Sequence, residues 1–318
     1  MKKSKLIILT IIVAIAAITG AVALGGCNTN APTQQVLFNE ANKIWTDKSG
    51  KETLTYDVMS GENAIGTYVM TGESVKDADI VVGEYTLEKK SGIYFTSSLD
   101  VSEVKDGVTV NTVMTTQSYL SASFVVQNSY RMTTVTTIAS DGNTSTRTTA
   151  ISGTYEEKKY LYNIKQTLDG EEIAADDGSL GHSKFASGAY IDNDFMYQAV
   201  RLLAAVGSNL SFQVPYYNYS DGTFSTVTME KATSGVSAKN TAVTGLRGDF
   251  ADAEGITYTG ALLSVKLSRK FPGSGTAFTC YVITAKSNSA NEADSDSYHY
   301  VPAKIKEDNI EYVLKSIA

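Results

Sequence analysis

Two histidines, two cysteines, one tryptophan and four prolines are all that this 318-residue chain holds of the residues that most often carry catalysis, metal binding or structural punctuation. Each shortage excludes something. His182 and His299 stand far apart, in Gly181-His182-Ser183 and Tyr298-His299-Tyr300, so no His-Glu-x-x-His zinc motif exists. No Gly-x-Ser-x-Gly nucleophile elbow occurs. Ser102-Glu103-Val104-Lys105 fits Ser-x-x-Lys but lacks the companion Ser-Asp-Asn and Lys-Thr-Gly motifs, so it reads as a chance match. Phe271-Pro272-Gly273-Ser274-Gly275 is glycine-rich without the Gly-Lys-Ser/Thr of a phosphate-cradling loop, and reads as a turn. The acidic groups Glu171-Glu172 with Asp176-Asp177, Asp192 with Asp194, and Glu292 with Asp294 and Asp296 do not follow a calcium-loop pattern and read as solvated turns. The expectation is a non-enzymatic protein with no metal and no cofactor.

Positive charge is also scarce. Lys and Arg number 27 against 34 Asp and Glu, a net of -7, and an acidic chain repels phosphate backbones, which sets nucleic-acid binding aside. With Cys27 and Cys280 as the only cysteines, a chain that uses Cys27 otherwise has no internal disulfide, and Cys280, alternating with Phe278 and Val282, reads as a small buried hydrophobe.

What is present begins at the N-terminus. Lys2, Lys3 and Lys5 precede a largely apolar run from Leu6 to Leu24. Its 19 residues are long enough to span a bilayer as a permanent anchor. The flanks favour cleavage instead, because Gly25 and Gly26 are small. Leu24-Gly25-Gly26-Cys27 resembles a bacterial lipoprotein signal (lipobox), which implies cleavage before Cys27 and lipidation of that cysteine, palmitate included. The organisation expected is a signal peptide over 1–26, a tether over 27–35 and a single β-rich domain over 36–318. Removal of residues 1–26 leaves 24 basic against 34 acidic residues. Residues 28–35 extend at most about 28 Å, so the domain is held close to the extracytoplasmic face of the cell membrane.

Leu37, Ala41, Ile44 and Trp45 share one helical face, which predicts a short N-terminal helix with Trp45 as a packing anchor. From Glu52 onward the period changes to two. Leu54, Tyr56 and Val58 alternate with Thr53, Thr55 and Asp57, and similar runs follow at 64–72, 79–89, 92–103, 108–115, 119–128, 130–139, 144–155 and 159–168. Ser60-Gly61, Asp106-Gly107, Asp141-Gly142 and Asp169-Gly170 mark hairpin turns between them. The acidic stretch Glu171 to Gly178 reads as exposed and irregular. Strands resume at 209–217, 223–232, 255–268, 276–285, 297–305 and 310–316, with Pro215 demoting its run to an edge or a strand end. Between the two sets, Phe195, Ala199, Leu202, Leu203 and Val206 share a face over 192–207, capped by Asp192 or Asn193 and closed by Gly207. The expected fold is mainly β: a large curved antiparallel sheet, a half-barrel, with one main helix and a short N-terminal helix.

The paired strands from Glu52 to Gly66, the helix with Arg201-Leu202-Leu203, Gly275-Thr276-Ala277-Phe278-Thr279-Cys280-Tyr281-Val282 and the closing Tyr-rich hairpin together resemble a domain-of-unknown-function family of exported bacterial proteins. That family is similar in fold to the Lol-type lipoprotein carriers. The resemblance implies a hydrophobic hollow and brings no catalytic residues.

Two functions fit this reading: a lipid-anchored protein binding an apolar or amphipathic ligand, such as a lipid, in the hollow of the sheet, or a cell-surface adhesion or scaffold module whose own helix fills the hollow and whose Thr- and Tyr-rich outer face meets a protein or a cell-wall polymer. The anchor is testable independently of both. Cys27→Ala is expected to abolish incorporation of labelled palmitate, and a variant that still incorporates it removes the lipobox reading.

Overall fold

Alternation of apolar and polar residues at period two dictates strands, and in the computed structural model almost every well-described stretch is one. The structure describes residues 51–122, 125–156, 159–181, 195, 197, 198, 201, 211–218, 223–231, 250–251, 257–258, 262–270, 277–283 and 301–318. Among the described residues the strands are β1 (Lys51–Ser60), β2 (Asn63–Val82), β3 (Tyr85–Lys105), β4 (Val108–Ser121), β5 (Val126–Ile138), β6 (Thr144–Glu156), β7 (Lys159–Leu168), β8 (Glu171–Gly181), β9 (Ser211–Asn218), β10 (Thr223–Lys231), β11 (Phe250–Ala251), β12 (Thr257–Tyr258), β13 (Leu262–Lys270), β14 (Ala277–Ile283), β15 (Pro302–Glu307) and β16 (Ile310–Ile317).

Fourteen of these form one antiparallel sheet in the order β8-β7-β6-β5-β4-β3-β2-β1-β16-β15-β14-β13-β10-β9, while β11 and β12 pair with each other. Two meanders therefore meet at one seam, where β1 pairs with β16 from Leu54↔Ile317 to Ser60↔Ile310 with a bulge at Thr55/Tyr56. Two backbone bonds close the end of the seam, Thr53 N–H to the Ala318 carbonyl at 2.6 Å and Ala318 N–H to the Thr53 carbonyl at 2.8 Å. The order does not close on itself: β8 and β9 stand at its two ends. Pro215 lies within β9, paired with Thr226 on one side only, as a residue without an N–H requires.

The hairpin turns follow the Asx-Gly signals. Asp106 and Gly107 have φ of 53° and 78°, and Asp169 and Gly170 have 51° and 90°, so both central residues occupy the left-handed region that matches the twist of the flanking strands. Three expectations need correction. Residues 79–89 do not form one strand but contain the β2–β3 turn, because Gly83 at φ +61° lets the chain reverse there. The expected break between 115 and 119 is absent, and β4 runs unbroken to Ser121. Glu171 to Gly178 is not irregular: it belongs to β8, paired to β7 from Leu168↔Glu171 to Lys159↔Gly181. Its four carboxylates disguised it by removing the apolar half of the alternation. The N-terminal helix and Trp45 lie outside the described residues. Of the helix expected over 192–207 only Phe195, Tyr197, Gln198 and Arg201 are described, and the last three have helical backbone.

One sheet face carries Leu54, Tyr56, Val58, Tyr68, Met70, Ile93, Phe95 and Leu314, all buried, and is called inner here. The outer face is rich in hydroxyls that pair across strands: Thr53 with Thr71 at 3.3 Å, Thr134 with Thr148 at 3.2 Å and Thr136 with Thr146 at 3.3 Å. Such pairs stabilise neighbouring strands modestly, roughly 0.2–1 kcal/mol each.

The tip of the β2–β3 hairpin builds a second small core. Val75, Ile80 and Val82 are buried with Tyr119, and Ala78, Leu87, Tyr94 and Tyr130 pack against them. Register shifts at Val75/Ala78 and Ala78/Ile80, with Asp77 and Lys89 both at φ 49°, bend the hairpin at this point. The bend is fixed by polar bonds: Tyr94 Oη donates to the Val81 carbonyl at 2.6 Å, Tyr119 Oη to the Ser91 carbonyl at 3.1 Å, and Gly83 N–H to Gln117 Oε1 at 2.6 Å. A Cβ on Gly83 would lie 2.5 Å from Tyr130 Cδ2, so the ring packs directly on bare backbone.

Burial raises the phenol pKa of Tyr119; burial and then Glu73 raise that of Tyr94, and burial and then Glu84 that of Tyr130. A group with a raised folded pKa adds stability that is complete below its unfolded pKa of about 10 and is lost as pH climbs through the folded value. The hairpin tip is therefore expected to loosen above about pH 10, before the β1–β16 seam does. Hydrogen-exchange protection of residues 75–92 followed against tyrosinate absorbance checks this; equal loss of protection in both regions would sink it.

Candidate functional site

Register carries each inner-face position from strand to strand, so the chemistry of the face can be followed in rows. Leu54 faces Met70, and the row continues through Ser97, Thr116, Arg131, Ile151 and Ile164. A neighbouring row runs Glu52, Gly72, Phe95, Ser118, Ser129, Gly153 and Tyr162, and another Tyr56, Tyr68, Leu99, Met114, Thr133, Thr149 and Gln166. The rows change character along their length: two are apolar or aromatic over β1 and β2 while the third begins with Glu52 and Gly72, all carry hydroxyls around β4 and β5, and two are apolar or aromatic again at β7.

The first zone is covered by the chain itself. Phe195 is 1% exposed and stacks on Phe95 with ring centroids 4.2 Å apart. Tyr197 meets Tyr68 edge-on at 5.9 Å and Tyr312 at 5.6 Å, while Tyr68 also touches Tyr56 at 6.1 Å and Tyr312 at 5.2 Å. Tilted and edge-on pairs of this kind suit the ring quadrupoles. Two of the hydroxyls there are bonded: Tyr197 Oη donates to a carboxylate oxygen of Glu307, and Tyr56 Oη to the Pro302 carbonyl at 2.8 Å. Arg201, fully buried, forks onto Glu52, with Nη1 on Oε1 and Nη2 on Oε2 at 3.2 Å, and Nη1 also reaches Gln198 Oε1 at 3.4 Å. This pair ties the 195–201 segment to β1.

The second zone is polar and buried. Ser97 and Thr116 satisfy each other at 2.7 Å. Ser118, Ser129 and Thr149 are at most 5% exposed. The hydroxyls of Ser118 and Thr133 are buried with no hydrogen-bond partner, a state that costs roughly 1–3 kcal/mol per group. Arg131 stands between Ser129 and Thr133 on the same strand face.

The third zone is apolar and aromatic. Ile151 and Ile164 are buried with Tyr162 against them, and Tyr155 and Tyr160 lie 4.5 Å apart. Two glycines make room for the rings: a Cβ on Gly153 would meet Tyr160 Oη at 2.2 Å, and one on Gly178 would meet Tyr162 Oη at 2.4 Å. Burial, then Asp176 and Asp177, push the Tyr162 phenol pKa up.

The residues singled out from the sequence are elsewhere or outside the described set. Cys27, His182, His299 and the acidic groups at 192–194 and 292–296 lie outside it. Ser102 and Lys105 are exposed at the end of β3, paired with Asn111 and Val108. Glu171, Glu172, Asp176 and Asp177 are exposed along β8, where Glu172 meets Lys165 at 3.4 Å. Cys280 sits in register between Val265 and Ile305. Glu52, Arg201, Ser118, Arg131 and Thr133 were missed. Glu52 had a signal, since it continues the even-numbered apolar face of Leu54, Tyr56 and Val58 with a charge. The hydroxyls had none, because buried Ser and Thr at period two look like a solvated face.

No family model matches the chain, and no curated protein matches it. Among solved structures it is similar to a beta-barrel-like protein of the domain of unknown function DUF1849 from Brucella abortus, with 9% identity and a TM-score of 0.46 over 85% of this chain and 97% of that one.

The buried ion pair gives a clear expectation. Arg201→Ala strands the Glu52 carboxylate and is expected to cost about 3–5 kcal/mol, whereas replacing both partners by apolar residues (Glu52→Leu with Arg201→Met) recovers most of it. Denaturant midpoints measure both, and a single variant as stable as the parent would show that the pair is idle.

Proposed function

We propose that this chain is a non-enzymatic, lipid-anchored protein on the extracytoplasmic face of the cell membrane that binds an apolar or amphipathic ligand, such as a lipid, against the inner face of its sheet. The anchor reading rests on Leu24-Gly25-Gly26-Cys27 behind a lysine-flanked apolar run. One observation carries the ligand reading: the Phe195 to Arg201 segment touches residues of β1, β2, β3, β15 and β16, and beyond it lie buried hydroxyls at Ser118 and Thr133 with no protein partner. A folded chain that needed only a core at those positions gains from apolar residues of the same shape, since valine fills the space of threonine without an unmet hydroxyl. The alternation of aromatic and polar zones suits a molecule with both characters.

A second reading is favoured by a different observation. Phe195 and Arg201 are themselves inner-face filling, and the outer face presents paired threonines at regular strand spacing. A scaffold or adhesion module with a filled hollow and a hydroxyl-rich outer surface for a protein or cell-wall polymer accounts for both.

Native mass spectrometry of the full chain, extracted from membranes in mild detergent, separates the two. The ligand reading expects a bound species that survives detergent exchange and is released on unfolding. A chain that carries nothing, and gains no thermal stability from added amphiphiles, supports the scaffold.

A further inference from the structure

The strand order ends in two unlike edges. Among the described residues β9 is paired only to β10 and β8 only to β7. A strand at the end of a sheet turns the N–H and C=O groups of alternate residues away from its neighbour, and these can pair with a further strand. β9 weakens its edge with Pro215, which has no N–H to give, and it carries no charged residue. β8 contains no proline. Its side chains also leave the backbone accessible. Every residue from Glu171 to Asp177 is exposed although the strand is paired to β7 along its length, and Ala174, Ala175 and Ser179 are small. Ala174 and Asp176 continue the inner-face rows from Gln166 and Ile164, while Ala175 and Asp177 continue the outer ones from Lys165 and Asn163, so the strand is open on both faces.

Charge decides what can pair there. Glu171-Glu172 and Asp176-Asp177 are two acidic pairs separated by three residues, and among the described residues only Glu172 of these meets a lysine, Lys165 at 3.4 Å. Between the pairs, the register shift at Gln166/Thr167 makes Ile173 an extra residue, 47% exposed. A second copy of β8 would set carboxylates against carboxylates, which is destabilising across strands. A second copy of β9 would bring no counter-charge and a proline. Nowhere does this sequence hold two adjacent Lys/Arg pairs three residues apart, so the complementary strand is another polypeptide's. We propose that the open edge of β8 takes up, as an added strand, an extended segment of a different protein that carries two basic pairs flanking an apolar middle. Backbone bonds hold the segment, and the four carboxylates select its pattern. The inference is independent of whether the inner face holds a ligand. It makes the charge of β8 a filter that turns away neutral and acidic strands and admits a basic one.

The test uses the full chain in mild detergent and a fluorescent peptide of threonine and valine with two lysine pairs three residues apart. Anisotropy reads binding, and hydrogen exchange reads its place, with protection expected to rise from Glu171 to Ser179. The same peptide with glutamate in place of lysine is expected not to bind. A version N-methylated throughout keeps the charge but loses the backbone donors, and is expected to bind at least about tenfold more weakly, the factor that one backbone bond of about 1.4 kcal/mol confers. Moving the lysine pairs together is expected to weaken binding as well. Glu171→Gln, Glu172→Gln, Asp176→Asn and Asp177→Asn combined are expected to weaken binding about tenfold, from cross-strand charge pairs, with the melting temperature unchanged because all four are exposed. Should that variant fail to fold, the peptide series on the parent chain still decides. Equal binding by the N-methylated peptide overturns strand addition and leaves a bare charge contact. Equal binding at every lysine spacing overturns the pattern. Protection away from β8, or no binding by the lysine peptide, overturns the proposal outright.

Discussion

The pairing of β1 with β16 is the constraint on which the rest of the molecule depends. It joins the first strand described to the last, and the loop closed between them is most of the chain, so its entropic cost falls due before the inner face can form. Until it forms, Leu54, Tyr56 and Val58 lack their neighbours Ile317, Leu314 and Tyr312 on one side. The seam also brings in β15, where Ile305 and the adjoining Val301 are fully buried and the Pro302 carbonyl receives Tyr56 Oη. Arg201 depends on the same event: its carboxylate partner is on β1, whereas Tyr197 reaches Glu307 on β15. The 195–201 segment is thus held from both sides of one seam.

Away from the seam, stability has a different source. The hairpin tip of β2 and β3 makes its own small core with Tyr94, Tyr119 and Tyr130. On the seam's outer side, Glu311 is held by Lys306 at 3.2 Å and by Lys304. Burial raises its pKa, but hydrogen bonds and charge from the two lysines outweigh that and leave it lowered, so the stability it adds is present above its unfolded pKa and fades as pH falls. At one end of the strand order the answer to aggregation is charge: β8 carries Glu171, Glu172, Asp176 and Asp177, all exposed, on a strand paired to β7.

Much of this architecture was legible because a half-buried strand writes its pattern in plain alternation. Leu54, Tyr56 and Val58 announced β1, and Asp106-Gly107 and Asp169-Gly170 announced turns whose left-handed backbone only such pairs adopt readily. The failures have two causes: alternation reports polarity and not burial, and it does not report backbone reversal. The carboxylates of β8 hid a strand, and Gly83 inside an apolar run hid a turn. The candidate site was hidden by the same confusion, since Ser118, Ser129 and Thr149 occupy inner-face positions with the residue types of a solvated face. Their burial depends on neighbours several strands away, which a local window does not contain.

That buried hydroxyl band is where the residue types work against the stability of the fold. Ser97 and Thr116 show that this face can satisfy its own hydroxyls when two are opposed, at an ordinary hydroxyl–hydroxyl distance of 2.7 Å. Ser118 is also opposed to a serine, Ser129, in register, yet its hydroxyl is unpaired. The difference is not one of available chemistry, because Ser129 carries the same group. The unmet hydroxyls at Ser118 and Thr133 therefore cost the fold free energy that an apolar residue at either position would not. A face built this way is less stable than an apolar one of the same shape.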